Sequence, residues 1–339
     1  MFCRAGRYFP RPQARPGRPL TVRQCSHTIG AADSAAQSHS AIMREHDLIN
    51  WICSHELDSS VVVAGPGDDC AVIVLGEEQV LVTVDQLLDG VHFDLARCGG
   101  QAAGRKAMAR SLSDIAAMAG EATAAVVSLA IPAGCDEGVG KDIYRGLRGL
   151  GEQFGCAVAG GDVAVWAGRL AISVTVVGRC AGVKPVLRSG ARVGDAICVT
   201  GQLGGAWRHQ RDLTFRPRLT EARQLAGRCE VHAMIDLSDG LATDLRHMCD
   251  ASGVGAELQA DAIPVHPQSD GLKGALCDGE DYELLFAVSP AEAGAIAAEG
   301  LAGTMVSLIG TITEGREIVL ADPDGKRGPL KCTGWEHTG

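Results

Sequence analysis

No apolar run in this 339-residue chain reaches the roughly 18 residues that a membrane-spanning helix needs, so the protein is expected to be soluble, with no membrane partner. Cys-x-x-Cys pairs are also missing. The 13 cysteines are an odd number scattered from Cys3 to Cys332, with no Cys-x-x-Cys and no Cys/His cluster at zinc spacing, which argues for a reducing, cytoplasmic setting. Basic residues are outnumbered, 31 Lys and Arg against 41 Asp and Glu, and form no stripe in the body of the chain, which disfavours nucleic acid as a partner. Neither the Gly-x-x-x-x-Gly-Lys-Ser/Thr loop nor a His-Arg-Asp or Asp-Phe-Gly set occurs, which removes the familiar phosphate-binding folds. What is present suits a globular protein: 46% apolar and 21% charged residues, in a chain long enough for two domains.

Residues 1–42 stand apart. Arg4, Arg7, Arg11, Arg15, Arg18 and Arg23 face one acid, Asp33, with Pro10, Pro12, Pro16 and Pro19 between them. An Arg-rich, acid-poor segment of this kind reads as a targeting sequence or as a disordered extension before a true start at Met43; the extension is the reading adopted. Beyond Met43 the pattern is α/β. Strand-like runs at 71–75, 80–84, 124–131, 170–177, 196–200 and 282–288 alternate with Ala-rich helical stretches at 101–119, 137–154, 221–229, 241–251 and 290–299. The segment 184–192, with Pro185 and Gly190, is the expected hinge between an N-terminal domain over 43–185 and a C-terminal one over 186–337.

The aspartates are not distributed like surface charge. Asp68 and Asp69 follow Gly65-Pro66-Gly67, Asp85 ends an apolar run, Asp114 sits inside a helical stretch, and Asp162 follows Gly160-Gly161. Asp236 and Asp239 flank Leu237-Ser238, with Asp244 one turn on. A single Gly-Asp or Ser-Asp is ordinarily a turn or a helix cap. If several converged, however, two carboxylates about 5 Å apart would repel by roughly 3 kcal/mol at an effective dielectric of 20. Convergence therefore needs cations, and an all-oxygen ligand set suits Mg²⁺ together with the phosphates of a nucleotide such as ATP. Gly160-Gly161-Asp162 and the run Gly201-Gln202-Leu203-Gly204-Gly205 could offer backbone N–H groups to phosphate, with Lys106 and Arg188 beside them.

Taken in order, these motifs resemble the thiamine-monophosphate kinase family, of the superfamily that includes aminoimidazole ribonucleotide synthetase and selenophosphate synthetase. The matching stretches are Gly65-Pro66-Gly67-Asp68-Asp69, Val84-Asp85-Gln86-Leu87-Leu88-Asp89-Gly90-Val91-His92-Phe93, Lys106, Leu112-Ser113-Asp114-Ile115-Ala116-Ala117-Met118, Gly160-Gly161-Asp162 and Arg188-Ser189-Gly190-Ala191. They continue with Ile235-Asp236-Leu237-Ser238-Asp239-Gly240, Gly279-Glu280-Asp281-Tyr282-Glu283 and Gly334-Trp335-Glu336-His337.

The resemblance implies a two-domain α/β (α+β) fold of the aminoimidazole ribonucleotide synthetase type, an N-terminal ATP/Mg domain followed by a second α/β domain, assembled as a homodimer. It implies ATP-dependent phosphorylation of thiamine monophosphate by direct transfer with several Mg²⁺ ions, and so a place in thiamine diphosphate biosynthesis. By the same resemblance Asp69, Asp85, Asp114, Asp162, Asp236 and Asp239 match metal ligands, with Thr83 beside them, and Asp114 and Asp239 are those on which turnover rests. Tyr144, Gly161, Arg188 and Ser238 match nucleotide contacts, alongside Asp162, while His92, Glu280 and Trp335 match acceptor contacts. The chain departs from the pattern at Val84, where a hydroxyl residue is usual, at Val163-Ala164 after the Gly-Gly-Asp, at Ser111 in place of Asn, at Asp278 in place of Gly, and at Glu336-His337-Thr338. The rival readings are another ATP-dependent synthetase of the superfamily, or a nucleotide-binding regulator that turns over weakly.

Overall fold

The computed structural model describes residues 45–55 and 59–331; the N-terminal extension and Trp335 lie outside the described residues. The first half comprises α1 (Glu45–Cys53), β1 (Val62–Ala64), β2 (Ala71–Leu75), β3 (Glu78–Leu88), α2 (Leu95–Ala117), β4 (Glu121–Pro132), α3 (Glu137–Gln153), β5 (Ala157–Trp166) and β6 (Ala171–Arg179). Its six strands form one sheet in the order β1-β2-β3-β6-β4-β5, parallel only between β4 and β5. The second half contains β7 (Ala196–Thr200), α4 (Leu219–Arg228), β8 (Ala233–Asp236), α5 (Leu241–Ser252), β9 (Gly255–Gln259), α6 (Gly271–Cys277), β10 (Leu284–Val288), α7 (Pro290–Glu299), β11 (Val306–Thr313), β12 (Ile318–Ala321) and β13 (Arg327–Pro329). Its seven-stranded sheet runs β13-β12-β9-β11-β7-β10-β8.

Alternation along β3 decides what reaches the interior. Leu81, Thr83 and Leu87 are buried, whereas Val84, between the last two, and Leu88, after them, are exposed. The strand runs on past Val84, so Asp85 lies within it rather than at its end, contrary to the expectation from sequence. In the second sheet β7 and β10 are buried at every position because the sheet is covered on both faces. Ala196, Cys198, Leu284 and Phe286 join the core with α4 and α7; Ile197, Val199 and Leu285 join the core with α5.

Helix α2 is the centre of the molecule. The Asp94 side chain caps it by accepting from the Ala96 amide at 3.0 Å. The helix packs on the first sheet, α3, α4 and β8, so nearly every side of it is buried and its apolar residues are mostly alanine. Glycines permit the close crossing with α3: a Cβ on Gly104 would stand 2.1 Å from the Ile143 carbonyl oxygen, and one on Gly146 would stand 2.0 Å from that of Gln101. Against this apolar background Lys106, Arg110, Ser113 and Asp114 recur at i, i+4, i+7 and i+8, which places them on one face.

The connection between the two sheets is strapped down. Val186 donates its amide to the Met118 carbonyl, the Arg188 amide reaches Asp68 Oδ1 at 3.2 Å, and the Met234 amide bonds the Leu187 carbonyl. The expected hinge over 184–192 thus carries backbone hydrogen bonds to both halves.

Candidate active site

Four elements converge beside the polar face of α2. Asp69 comes from the loop after β1, Thr83 and Asp85 from the inward side of β3, Asp114 from α2 and Asp236 from the end of β8. Carboxylate oxygens of Asp69, Asp114 and Asp236 lie within 4.8 Å of one another. The Thr83 hydroxyl donates to Asp114 Oδ2, and the Ser113 hydroxyl donates to Asp236 Oδ2 at 2.6 Å. Arg188 reaches Asp69 Oδ1 at 2.6 Å, and Arg110 reaches Asp85 Oδ1 at 3.3 Å.

Burial pushes the Asp236 carboxyl up to about 7, with Asp69 adding to the rise, and pushes Asp114 well above the usual carboxylate range, with Asp85 and Asp236 contributing. Burial works against the charge on Arg188, but the neighbouring Asp69 more than offsets it and holds the guanidinium ionised. Four carboxylates against two guanidiniums leave two negative charges in excess when all are ionised. Asp69 Oδ2 is buried with no hydrogen-bond partner. An orphaned anionic oxygen in an all-oxygen cluster with that surplus fits a hard divalent cation such as Mg²⁺.

Other expected residues fall elsewhere. Asp239 groups with Asp244 and His247 in a neighbouring trio rather than with the three buried acids. Asp244 Oδ2 accepts the amides of Asp239 and Gly240 at the start of α5, so it holds that turn in place. Gly161 and Asp162 lie inside β5 and not in a phosphate-binding turn as expected; Gly161 is required because a Cβ there would stand 1.8 Å from the Val127 carbonyl oxygen. Asp162 is exposed, and neither it nor Tyr144, on α3, makes a hydrogen bond or ion pair to the acid cluster. Val84 is 64% exposed on the opposite side of β3, so the departure from a hydroxyl there removes nothing from this cluster.

The run Gly201–Gly205 does not offer its amides to phosphate either. Gly204 N–H is taken by Asp281 Oδ2 at 2.7 Å and Gly205 N–H by Asp278 Oδ2 at 3.1 Å. Lys106 is fully buried, so it is not a free phosphate ligand. Its ammonium donates to Asp212 Oδ2 and to the His92 carbonyl, both at 2.7 Å, and forms an ion pair with Glu280. Two hydrogen bonds and one ion pair thus hold the ammonium.

The Lys106 contacts build a second subsite. The loop 278–283 is pinned to the loop after β8, with Glu280 N–H bonded to the Ser238 carbonyl and Tyr282 N–H to that of Leu237. Glu280 and Tyr282 hold left-handed backbone at φ 64° and 52°, strain of order 1–3 kcal/mol each that the surrounding contacts must sustain. The His92 ring accepts the Leu88 amide at Nδ1, which fixes its orientation. Val91, His92, Trp207, Arg208, Gly279 and Glu280 surround a cavity of about 220 Å³, and a second cavity of about 250 Å³ opens on Phe93, Arg97, Trp207 and Arg208. Trp207 borders both, 46% exposed, with its ring 4.9 Å from the Lys106 ammonium. Sequence reasoning did not single out Trp207 or Arg110; the polar recurrence along α2 was the available signal for Arg110.

Comparison with known proteins places the chain among relatives. The N-terminal domain profile of AIR synthase related proteins matches residues 67–180, and the corresponding C-terminal domain profile matches residues 192–322. A thiamine-monophosphate kinase from Rhodopirellula baltica is 41% identical over 254 residues, covering 69% of this chain and 79% of its own. One from Mycobacterium tuberculosis is 32% identical over 323 residues, covering 87% and 92%. Among solved structures, AaThiL complexed with AMPPCP and TMP superposes with a TM-score of 0.74 at 28% identity, over 87% of this chain and 97% of that one. On both the ordered domain matches and these full-length relatives, the chain belongs to the thiamine-monophosphate kinase family of AIR synthase related proteins.

Proposed function

We propose that the protein phosphorylates thiamine monophosphate to thiamine diphosphate at the expense of ATP, in thiamine diphosphate biosynthesis. The observation that carries this reading is the trio Asp69, Asp114 and Asp236, whose oxygens lie within 4.8 Å of one another beside the pocket bordered by His92 and Glu280. The names of the relatives support it, as does the AMPPCP and TMP bound to AaThiL. Asp69, Asp114 and Asp236, with Asp85 and Thr83 beside them, are assigned to several Mg²⁺ ions, and Asp239 with its neighbours to a further one. Arg188, Ser238, Tyr144, Gly161 and Asp162 are assigned to the nucleotide. Trp335 is retained as an acceptor contact by family resemblance alone.

Bound Mg²⁺ would neutralise phosphate charge. The protein's own part is positional. Glu280, fixed by Lys106, borders the acceptor pocket; Ser113 and Thr83 orient the carboxylates; and Arg188 balances Asp69. The acceptor phosphate is already an oxyanion near neutral pH, so in-line attack on the γ-phosphorus needs no general base, consistent with a cluster built of carboxylates and guanidiniums. We further assign the protein to the cytoplasm as a homodimer. Val84, Val126 and Trp166 share the outer face of the first sheet and are exposed there, which supports pairing of that face with a second copy.

The test is a product assay. With Mg-ATP the purified protein should convert thiamine monophosphate to thiamine diphosphate and ADP, and should leave unphosphorylated thiamine untouched. Turnover of formylglycinamidine ribonucleotide alone would move it to a sister activity, and tight nucleotide binding without turnover would favour a regulator.

A further inference from the structure

Arg110 stands between the two subsites, and the reading above gives it no task. Its side chain projects from α2 with Nη2 3.3 Å from Asp85 Oδ1, on the metal side, and Nη1 3.9 Å from Glu280 Oε1, on the acceptor side. The second distance is too long for a hydrogen bond. The Arg110 side chain is 15% exposed, and its Nε and Nη1 groups are buried without hydrogen-bond partners. Leaving buried donors of a charged group unsatisfied is costly, and native proteins rarely do so without a ligand or water to complete them. The Tyr282 hydroxyl is another buried orphan. Its ring is 2% exposed, stacks on Phe215 at 4.1 Å, and belongs to the same strained loop as Glu280. The Tyr282 hydroxyl lies within electrostatic range of the Arg110 guanidinium.

A planar fork with free N–H groups, a phenolic donor beside it, acids of the metal cluster on one side and the acceptor pocket on the other together describe a seat for an anionic phosphate. Neither Asp85 nor Glu280 completes the fork.

We propose that Arg110, assisted by the Tyr282 hydroxyl, grips the phosphate of the acceptor and holds it at the boundary between the acceptor pocket and the metal cluster. Arg110 is then the residue that distinguishes a phosphorylated acceptor from its unphosphorylated parent. This rests on the acceptor reading of the pocket. It adds a substrate contact on a helix where Lys106, one turn earlier, is buried and held by Asp212, Glu280 and the His92 carbonyl.

Arg110→Met keeps much of the side-chain volume and removes every donor, while Arg110→Lys keeps the charge and loses the fork. Equilibrium binding of thiamine monophosphate and of thiamine to the full chain, measured by calorimetry in Mg²⁺ without nucleotide, separates the outcomes. The wild type should prefer the monophosphate. Arg110→Met should weaken the monophosphate on the order of tenfold to a hundredfold, down to the level of thiamine, and leave thiamine within about twofold. Arg110→Lys should recover part of the preference. In steady-state turnover the methionine variant should raise KM for the monophosphate and leave KM for ATP unchanged. An unchanged preference in Arg110→Met, or equal losses for both ligands, would overturn the proposal. A wild type that binds neither ligand would instead refute the acceptor reading itself.

Discussion

Replacing Asp236 by Asn should stabilise the metal-free protein at about pH 8 and abolish most of its stabilisation by Mg²⁺. Asp236 is buried, its carboxyl is raised from 3.8 to about 7, and Asp69 stands against it. A carboxyl whose pKa is higher in the folded than in the unfolded state binds its proton more tightly when folded. Its favourable contribution is therefore complete below about pH 4 and is lost as pH rises through about 7. The difference between the ordinary carboxyl and one at about 7 corresponds to roughly 4 kcal/mol, the same order as the roughly 3 kcal/mol of repulsion for two carboxylates 5 Å apart. Asparagine keeps an oxygen to accept from Ser113 and carries no charge. For a protein of this size each kcal/mol moves Tm by roughly 2 °C, so Tm without metal should rise by about 4 to 8 °C at pH 8 and change little near pH 4. Added Mg²⁺ should raise the wild-type Tm and hardly move the variant, because a ligand that binds only the folded state stabilises in proportion to its occupancy. Thermal unfolding in chelator and in Mg²⁺ at both pH values measures all four quantities. A variant that is less stable than wild type in chelator at pH 8, or a difference independent of pH, would refute the reasoning.

Trp207→Ala should raise KM for the acceptor on the order of tenfold and leave KM for ATP within about twofold in steady-state assays, because the ring borders both cavities of the acceptor side. Lys106→Met strands Asp212 and Glu280 without their common cation and should cost about 3 to 5 kcal/mol of stability in denaturant unfolding. Gly161→Ala drives a methyl into the Val127 carbonyl, so β4 and β5 must separate; a loss of about 2 kcal/mol or more is expected, and a neutral effect on Tm would contradict the strand packing.

Regular elements were legible where local pattern and burial agree. The run at 196–200 is β7 to the residue, and the stretch at 290–299 is α7, which the structure shows to be opened by a Ser289 cap. β3 was read too short because a charge at Asp85 resembles a strand end, whereas the inward face of that strand is lined for a polar site. Gly160-Gly161 resembled a turn because glycine signals both positive φ and close approach. Here it serves close approach to Val127, which depends on a neighbouring strand distant in sequence. The same limit explains the acids. Sequence alone gathered Asp69, Asp114 and Asp236 only through motif order, and it could not place Asp239 in a different trio, because which oxygens meet depends on how β8 docks beside α2. Lys106 looked like a phosphate ligand until its burial beneath Trp207 was seen. Arg110 was missed because an arginine on an Ala-rich helix ordinarily reads as solvated surface.

The most direct test of the account follows the γ-phosphate itself. With ATP radiolabelled at that position, thiamine monophosphate and Mg²⁺, direct transfer predicts one label in the terminal phosphate of thiamine diphosphate for each ADP formed, and none when chelator replaces Mg²⁺. Label released as inorganic phosphate while the acceptor product stays unlabelled would contradict it.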